Sequence, residues 1–249
     1  MTLPTIITIS ATLFFLLFER IKPGRMLPKI KNWYYMALMI NVIQLIITLL
    51  TARLWIEIFG EISLFKIRNW QSEILQGFFG WLIGTFFFYW WHRVRHMKGF
   101  WLIFHQLHHS PSRIEAVTSF YKHPIEILAD AILSALILYP LLGCSLMGMF
   151  WYNCFAGIGE YLYHSNIKTP KWFRYFIQTP ELHSIHHDKA LTSPLLEEAK
   201  KAEQEQKSGD SWVKKPGLED KAEKPRSFLE ASQAGKYGNI GSKGGAHEL

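Results

Sequence analysis

Charge is scarce over most of this chain. Of 249 residues, 19% are charged. Residues 1–188 carry 16 basic and 10 acidic side chains, about 14%, where an ordinary globular domain has about 25%. Residues 189–249 hold the other 11 basic and 10 acidic residues, about a third of that stretch. Cysteine is nearly absent: Cys144 and Cys154 are the only two, which excludes a disulfide-stapled secreted domain. There is no haem- or iron–sulfur-binding cysteine pattern and no Gly-rich dinucleotide fingerprint. Any electrons the protein uses therefore come from outside the chain. The formal charge of +7 forms no basic stripe, because its cations lie beside apolar runs, so nucleic acid is not an expected partner.

Long apolar runs fill the charge-poor part. The first, 3–18, has no basic stretch before it, and bulky Phe and Leu lead straight into Glu19-Arg20. That pattern fits an uncleaved anchor better than a signal peptide. The second, 33–54, is 22 residues, about 33 Å as a helix, enough for a hydrocarbon core of about 30 Å. The third, 74–91, ends in the aromatic series Phe86, Phe87, Phe88, Tyr89, Trp90 and Trp91, the residue types of a membrane interface. The fourth, 125–159, reads as two short spans or a hairpin broken at Tyr139-Pro140, with Glu126 and Asp130 at its interfacial start. Four such runs in about 160 residues favour a membrane over a buried helical core. Arg20, Lys22, Arg25, Lys29 and Lys31, and later Arg93, Arg95, Lys98, Arg113 and Lys122, place both of their loops in the cytoplasm. Every histidine-rich stretch then falls on that side.

Ten of the 11 histidines lie in the charge-poor part, and nine of these follow a pattern. His92 and His96 form an HxxxH. His105, His108 and His109 form an HxxHH, and His183, His186 and His187 a second one. His164 stands alone, four residues after Glu160. On a helix, residues three and four apart share a face, whereas adjacent residues diverge by about 100°. Each adjacent pair can therefore reach two different metals. Imidazole suits iron, zinc, copper and nickel. Nine rings exceed the need of one zinc and fit two metals. Glu160, Glu181 and Asp188 are nearby candidates for further ligands or orienting partners. His123 and His247 read as bystanders.

At these motifs the chain resembles the fatty acid hydroxylase superfamily, which includes sterol desaturases, sterol hydroxylases and alkylglycerol monooxygenase. The resemblance runs over about 79–188. It is carried by Tyr89-Trp-Trp-His-Arg-Val-Arg-His96, Phe104-His-Gln-Leu-His-His-Ser110, Lys122-His-Pro-Ile-Glu126, His164-Ser-Asn166 and Thr179-Pro-Glu-Leu-His-Ser-Ile-His-His187. It implies an all-α integral membrane helical bundle with a cytosolic, His-rich dimetal cap. The implied ligands are His92, His96, His105, His108, His109, His164, His183, His186 and His187. The implied cofactor is a pair of iron ions, with zinc an alternative in isolated protein, and O₂ is the co-substrate. The implied reaction is hydroxylation or desaturation of a lipid taken from the bilayer. Electrons would come from a b-type cytochrome or a ferredoxin with its reductase, or from a pterin in the alkylglycerol branch.

The chain divides accordingly into 1–73 as N-terminal anchor spans, 74–188 as the catalytic domain, and 189–249 as a polar tail. The tail lacks the Asn-Tyr-Gly-like and Trp-Asp-Arg-like elements with which relatives continue. It reads as disordered apart from a short helix near 195–207. Two rival functions share the scaffold: a zinc-loaded membrane hydrolase, and a catalytically inactive lipid-binding protein.

Overall fold

In a computed structural model of the chain, residues 1–59 and 63–188 are described, together with Gln204. The expected tail helix and most of the polar tail lie outside them. By contacts the chain divides into Met1–Leu196 and Glu197–Leu249, and the nine patterned histidines all belong to the first unit.

Every element among the described residues is helical. The long helices are α1 (Leu3–Ile21), α2 (Trp33–Phe59), α3 (Glu73–Arg95), α6 (Pro124–Leu136) and α7 (Leu146–His164). Three short ones carry the remaining boxes. α4 (Lys98–Phe100) passes through a π-helical stretch, Trp101–His105, into α5 (Gln106–His108), and α8 (Pro180–His186) comes last. Helix starts obey local chemistry. Ser72, Ser145 and Thr179 each accept a first-turn N–H with their hydroxyl, from Leu75, Gly148 and Leu182. Pro124 and Pro180 occupy first-turn positions where no donor is needed.

Three helical stretches are long and apolar enough to cross a membrane: Leu3–Ile21, Trp33–Phe59 and Pro124–Leu141. The apolar runs of the sequence predict α3 as a further span. It has the length, but Gln76, three glycines and its Trp and Tyr residues keep it out of that set. The break expected within 125–159 is present, between α6 and α7, and is displaced from Tyr139-Pro140. α6 continues through Pro140 as a π-helical stretch, Ile137–Leu141, in which Leu142 N–H reaches back to Ile137 O at 3.0 Å. The chain reverses only at Gly143, whose φ of 63° is in the left-handed region that glycine adopts without strain.

α3 and α7 form the central pair. Gly77 faces the backbone of α7. A Cβ there would collide with Trp151 Cβ and lie 2.7 Å from Tyr152 N and 2.8 Å from Gly148 O. Small residues at such a crossing let two helices approach closely. α1 packs on α7, and α2 on α6. The distal end is closed by backbone hydrogen bonds from 64–68 to 140–143, with Leu64 N–H to Pro140 O at 2.8 Å and Ile67 N–H to Leu142 O at 2.9 Å.

The opposite end is tied by buried polar groups. Glu19 Oε2 accepts from Ala116 N at 2.8 Å and Asn166 N at 3.0 Å. Glu115 Oε1 accepts from Trp33 Nε1 and from Arg113 Nε, both at 2.6 Å. The C-terminal ends of α1, α3 and α7 and the N-terminal ends of α2 and α6 therefore share one end of the bundle, and the nine patterned histidines are there.

The α3–α7 contact is the most sensitive point. Gly77→Ala is expected to destabilise the protein by about 1–3 kcal/mol through overpacking. Gly99, with nothing within 4 Å of its would-be Cβ, is the control: Gly99→Ala should stay within about 0.5 kcal/mol. Thermal unfolding of both variants in detergent tests this, and equal stability of the two would contradict the packing.

Candidate metal centre

Four elements deliver the nine rings. The last turns of α3 carry His92 and His96. The π-helical stretch and α5 carry His105, His108 and His109, all turned inward and no more than 4% exposed. A π-helical insertion shifts the phase of the residues after it and is common at functional sites. α7 ends on His164. α8, held by Thr179 and Pro180, carries His183, His186 and His187.

The rings separate into two adjoining groups. Ring nitrogens of His92, His96, His105 and His109 lie within 4.8 Å of one another, as do those of His108, His164, His183 and His187. His186 joins the first group, its Nε2 being 2.7 Å from His92 Nε2 and 3.3 Å from His96 Nε2. The adjacent pairs divide as helical geometry dictates: His108 and His187 go to one group, His109 and His186 to the other.

The outer nitrogens decide what the inner ones can do. His108 Nδ1 donates to Tyr121 O at 3.2 Å, and His164 Nδ1 to Glu160 O at 2.9 Å. A carbonyl only accepts, so each of these rings has its proton on Nδ1 and a lone pair on Nε2. Yet the two Nε2 atoms face each other at 3.4 Å. Two lone pairs so placed repel unless a cation lies between them. His105 Nδ1 donates to Glu126 Oε1 at 2.9 Å, leaving His105 Nε2 buried without a partner; both ring nitrogens of His109 are likewise unpartnered. Burial pushes His105, His108, His109, His183 and His187 below the ordinary imidazole range, and His186 down to about 4. The neutral form is the one that binds metal. His92 differs: Arg95 Nη2 donates to its Nδ1 at 3.0 Å. A neutral His92 then carries its proton on Nε2, and binding a metal there displaces that proton.

Beneath the rings lies an ion network. Glu126 Oε1 accepts from Arg95 Nη1 at 2.6 Å as well as from His105. Asp130 accepts from Trp91 Nε1 at 2.7 Å and Lys122 Nζ at 3.2 Å, with Arg95 Nη1 at 3.4 Å. Lys122 Nζ is also 3.9 Å from Glu160 Oε1. These placements correct three expectations. Glu126 and Asp130, expected to be tolerated by their interfacial position, are instead held by internal partners: Glu126 is 2% exposed and paired with Arg95. Arg95 and Lys122, read from the sequence as loop cations, are 6% and 8% exposed and held inside this network. Glu181 is no ligand candidate, because its carboxylate is taken by Thr169 N and Oγ1 at 2.7 and 2.8 Å. Glu160 lies on the outer side of His164, its Oε2 3.5 Å from Nδ1. His123 caps α6, accepting from Ile125 N, and belongs to neither group. Sequence reasoning does not find the network. The one signal for it is two carboxylates four residues apart in an otherwise apolar helix, a spacing that puts both on one face.

Residues 77–194 match the family model for fatty acid hydroxylase. Over that stretch, a little under half of the chain, the protein is similar to fatty acid hydroxylases. Methylsterol monooxygenase 2-2 of Arabidopsis thaliana is 38% identical over 69 residues, 28% of this chain and 26% of that protein. Very-long-chain aldehyde decarbonylase GL1-7 of Oryza sativa subsp. japonica is 30% identical over 122 residues, 45% of this chain and 19% of that protein. A second rice decarbonylase, GL1-8 of subsp. indica, is 33% identical over 86 residues, 34% of this chain and 32% of that protein. The matches thus span about a fifth to a third of these relatives. No solved structure matches the chain. All nine histidines of both groups fall within the stretch that matches the family model.

The two groups make separable predictions. His183→Ala removes a donor from one group and His186→Ala from the other. Each variant, loaded with ferrous iron and desalted, is expected to retain about one ion where the parent protein retains about two. Metal analysis of the purified proteins checks this; unchanged iron content in both would contradict the grouping.

Proposed function

We propose that this protein is a membrane-bound dimetal oxygenase, with iron in both histidine groups, that hydroxylates or desaturates an apolar lipid using O₂. The observation that supports it most is the convergence of nine ring nitrogens in two adjoining groups at one end of an apolar helical bundle. Iron bound there would supply the activation of O₂ needed to attack an unactivated C–H bond. The protein's own part is more definite. Glu126 and the carbonyls of Tyr121 and Glu160 orient three of the rings. Burial of six of the nine keeps water from the inner faces.

The named relatives are a methylsterol monooxygenase and very-long-chain aldehyde decarbonylases. Their names share one property, an apolar substrate, and that is the substrate class we assign. Such a lipid enters from the bilayer, which places the chemistry at the membrane surface; the charge distribution favours the cytoplasmic one. The reductant is an external protein, a b-type cytochrome or a ferredoxin with its reductase. The exposed Arg93 and Lys98 are among the cations that the metal end offers an acidic donor.

The test is to purify the protein anaerobically, load it with ferrous iron, and supply a reductase system, a mixed lipid extract and ¹⁸O₂. A lipid product carrying one ¹⁸O atom, or lacking two hydrogens, supports the proposal. Two zinc ions per chain, with product formation unaffected by removing O₂, would point to the hydrolase instead. A product one carbon shorter would favour the chemistry in the name of the decarbonylase relatives.

A further inference from the structure

We infer that the two metal positions are inequivalent, and that Glu126, acting through His105, sets the affinity of the five-histidine one. The inference rests on the dimetal reading above and goes beyond it.

Three observations converge. The first is enclosure. All four rings of the His108, His164, His183 and His187 group are buried, whereas His92, His96 and His186 of the other group are partly exposed. A fully enclosed four-donor position resembles a closed holding site, and a position with an open edge is one that an external molecule can reach. The second is the outer partner. In the closed group, His108 and His164 donate to neutral backbone carbonyls. In the open group, His105 donates to the carboxylate of Glu126, and a carboxylate makes an imidazole a stronger donor to metal. The third is Arg95. Its Nη1 holds the same Glu126 oxygen at 2.6 Å while its Nη2 holds His92 Nδ1 at 3.0 Å. Two ligands of the open group, from α3 and from the π-helical stretch, therefore hang from one buried ion pair. No hydrogen bond among the described residues joins that pair to a ring of the closed group.

Glu126 is thus a positioning residue. It touches no metal and acts through the ring it orients. The open position is tied to a carboxylate that a ring hydrogen-bonds directly; in the closed one the rings hydrogen-bond backbone carbonyls, and the nearest carboxylate, Glu160, stands 3.5 Å behind His164 Nδ1.

The experiment titrates Co(II) into the metal-free full-length protein in nanodiscs against a competing chelator, reading the visible spectrum and counting bound ions. Two binding steps are expected, one with the intense absorption of tetrahedral Co(II). In Glu126→Gln, which keeps size and loses charge, the other step should weaken by about 10–100-fold while the tetrahedral step stays in place. Asp130→Asn disturbs the same ion network without touching His105, and both steps should stay close to their parent values. A general loss of structure would move both steps together, so the selective shift separates positioning from folding. The inference is overturned by a single binding step in the parent protein, by equal shifts of both steps in Glu126→Gln, by no shift of either, or by an equal shift in Asp130→Asn. Failure to bind Co(II) at all would sink the dimetal reading itself. If Glu126→Gln does not fold, Glu126→Asp, which keeps the charge but shortens the reach, should show the same selective weakening to a smaller degree.

Discussion

A neutral imidazole that has donated its Nδ1 proton turns a bare lone pair outward at Nε2. His108 and His164 are both in that state, and their Nε2 atoms face each other at 3.4 Å. Left alone, such a pair would drive its helices apart. The bundle holds them together because α5 and α7 are fixed elsewhere. α7 is locked to α3 at Gly77, some distance along the helices from the rings, and to α1 at its C-terminal end through Glu19 and Asn166. The strain of gathering donors before any ion arrives is carried by packing that does not itself involve the donors. This is the logic of a preorganised site: rigid elements hold the groups, and the binding energy of the ion is not consumed in ordering the chain.

The polar ties at the histidine end reflect where that end sits. Segments 110–123 and 165–179 begin immediately after ligand positions, and they are irregular backbone at the end of apolar helices. Their N–H groups need acceptors. Glu19 satisfies two of them, at Ala116 and Asn166, and Glu115 gathers Trp33 and Arg113. Buried carboxylates do here what a water shell does in a soluble loop. In doing so they pin segment 110–123 to α1 and α2 and segment 165–179 to α1, alongside the packing of α1 on α7.

The parts of this arrangement that are legible in sequence are those with a local period. The histidine spacing defines the faces, and the 100° between His108 and His109 defines their division between groups. The apolar runs mark the helices. What is not legible depends on partners far away in the chain. Glu126 looks like a residue tolerated at an interface because its cation is far away in the chain, and Asp130 because the nearer of its two cations, Lys122, reads as an ordinary loop residue. Arg95 lies 31 residues from Glu126 and 35 from Asp130. Arg95 and Lys122 resemble topology signals because a cation in a loop usually is one. The reversal at Gly143 is hidden because a proline ordinarily breaks a helix. A π-helical stretch instead carries the helix through Pro140, and the carbonyls of Pro140 and Leu141 at its end accept from Leu64 and Phe65.

The ion network also answers a charge problem that the rings create. Nine neutral imidazoles would bring no negative charge to offset the two divalent ions of the proposed centre. The network contains Glu126, Asp130 and Glu160 against Arg95 and Lys122, one carboxylate in excess. Burying such charges costs several kcal/mol each before pairing, so a cluster of five is not retained by packing alone. Arg95 pairs with Glu126, and Lys122 with Asp130, while the surplus charge stands at Glu160, 3.5 Å behind His164. Glu126 and Glu160 stand on the Nδ1 side of His105 and His164, away from the Nε2 atoms. They can lower the electrostatic cost of the ions through those rings without occupying a coordination position. On the proposed reading, the partly exposed edge at His92, His96 and His186 would then be left open to reacting molecules, with no carboxylate occupying it.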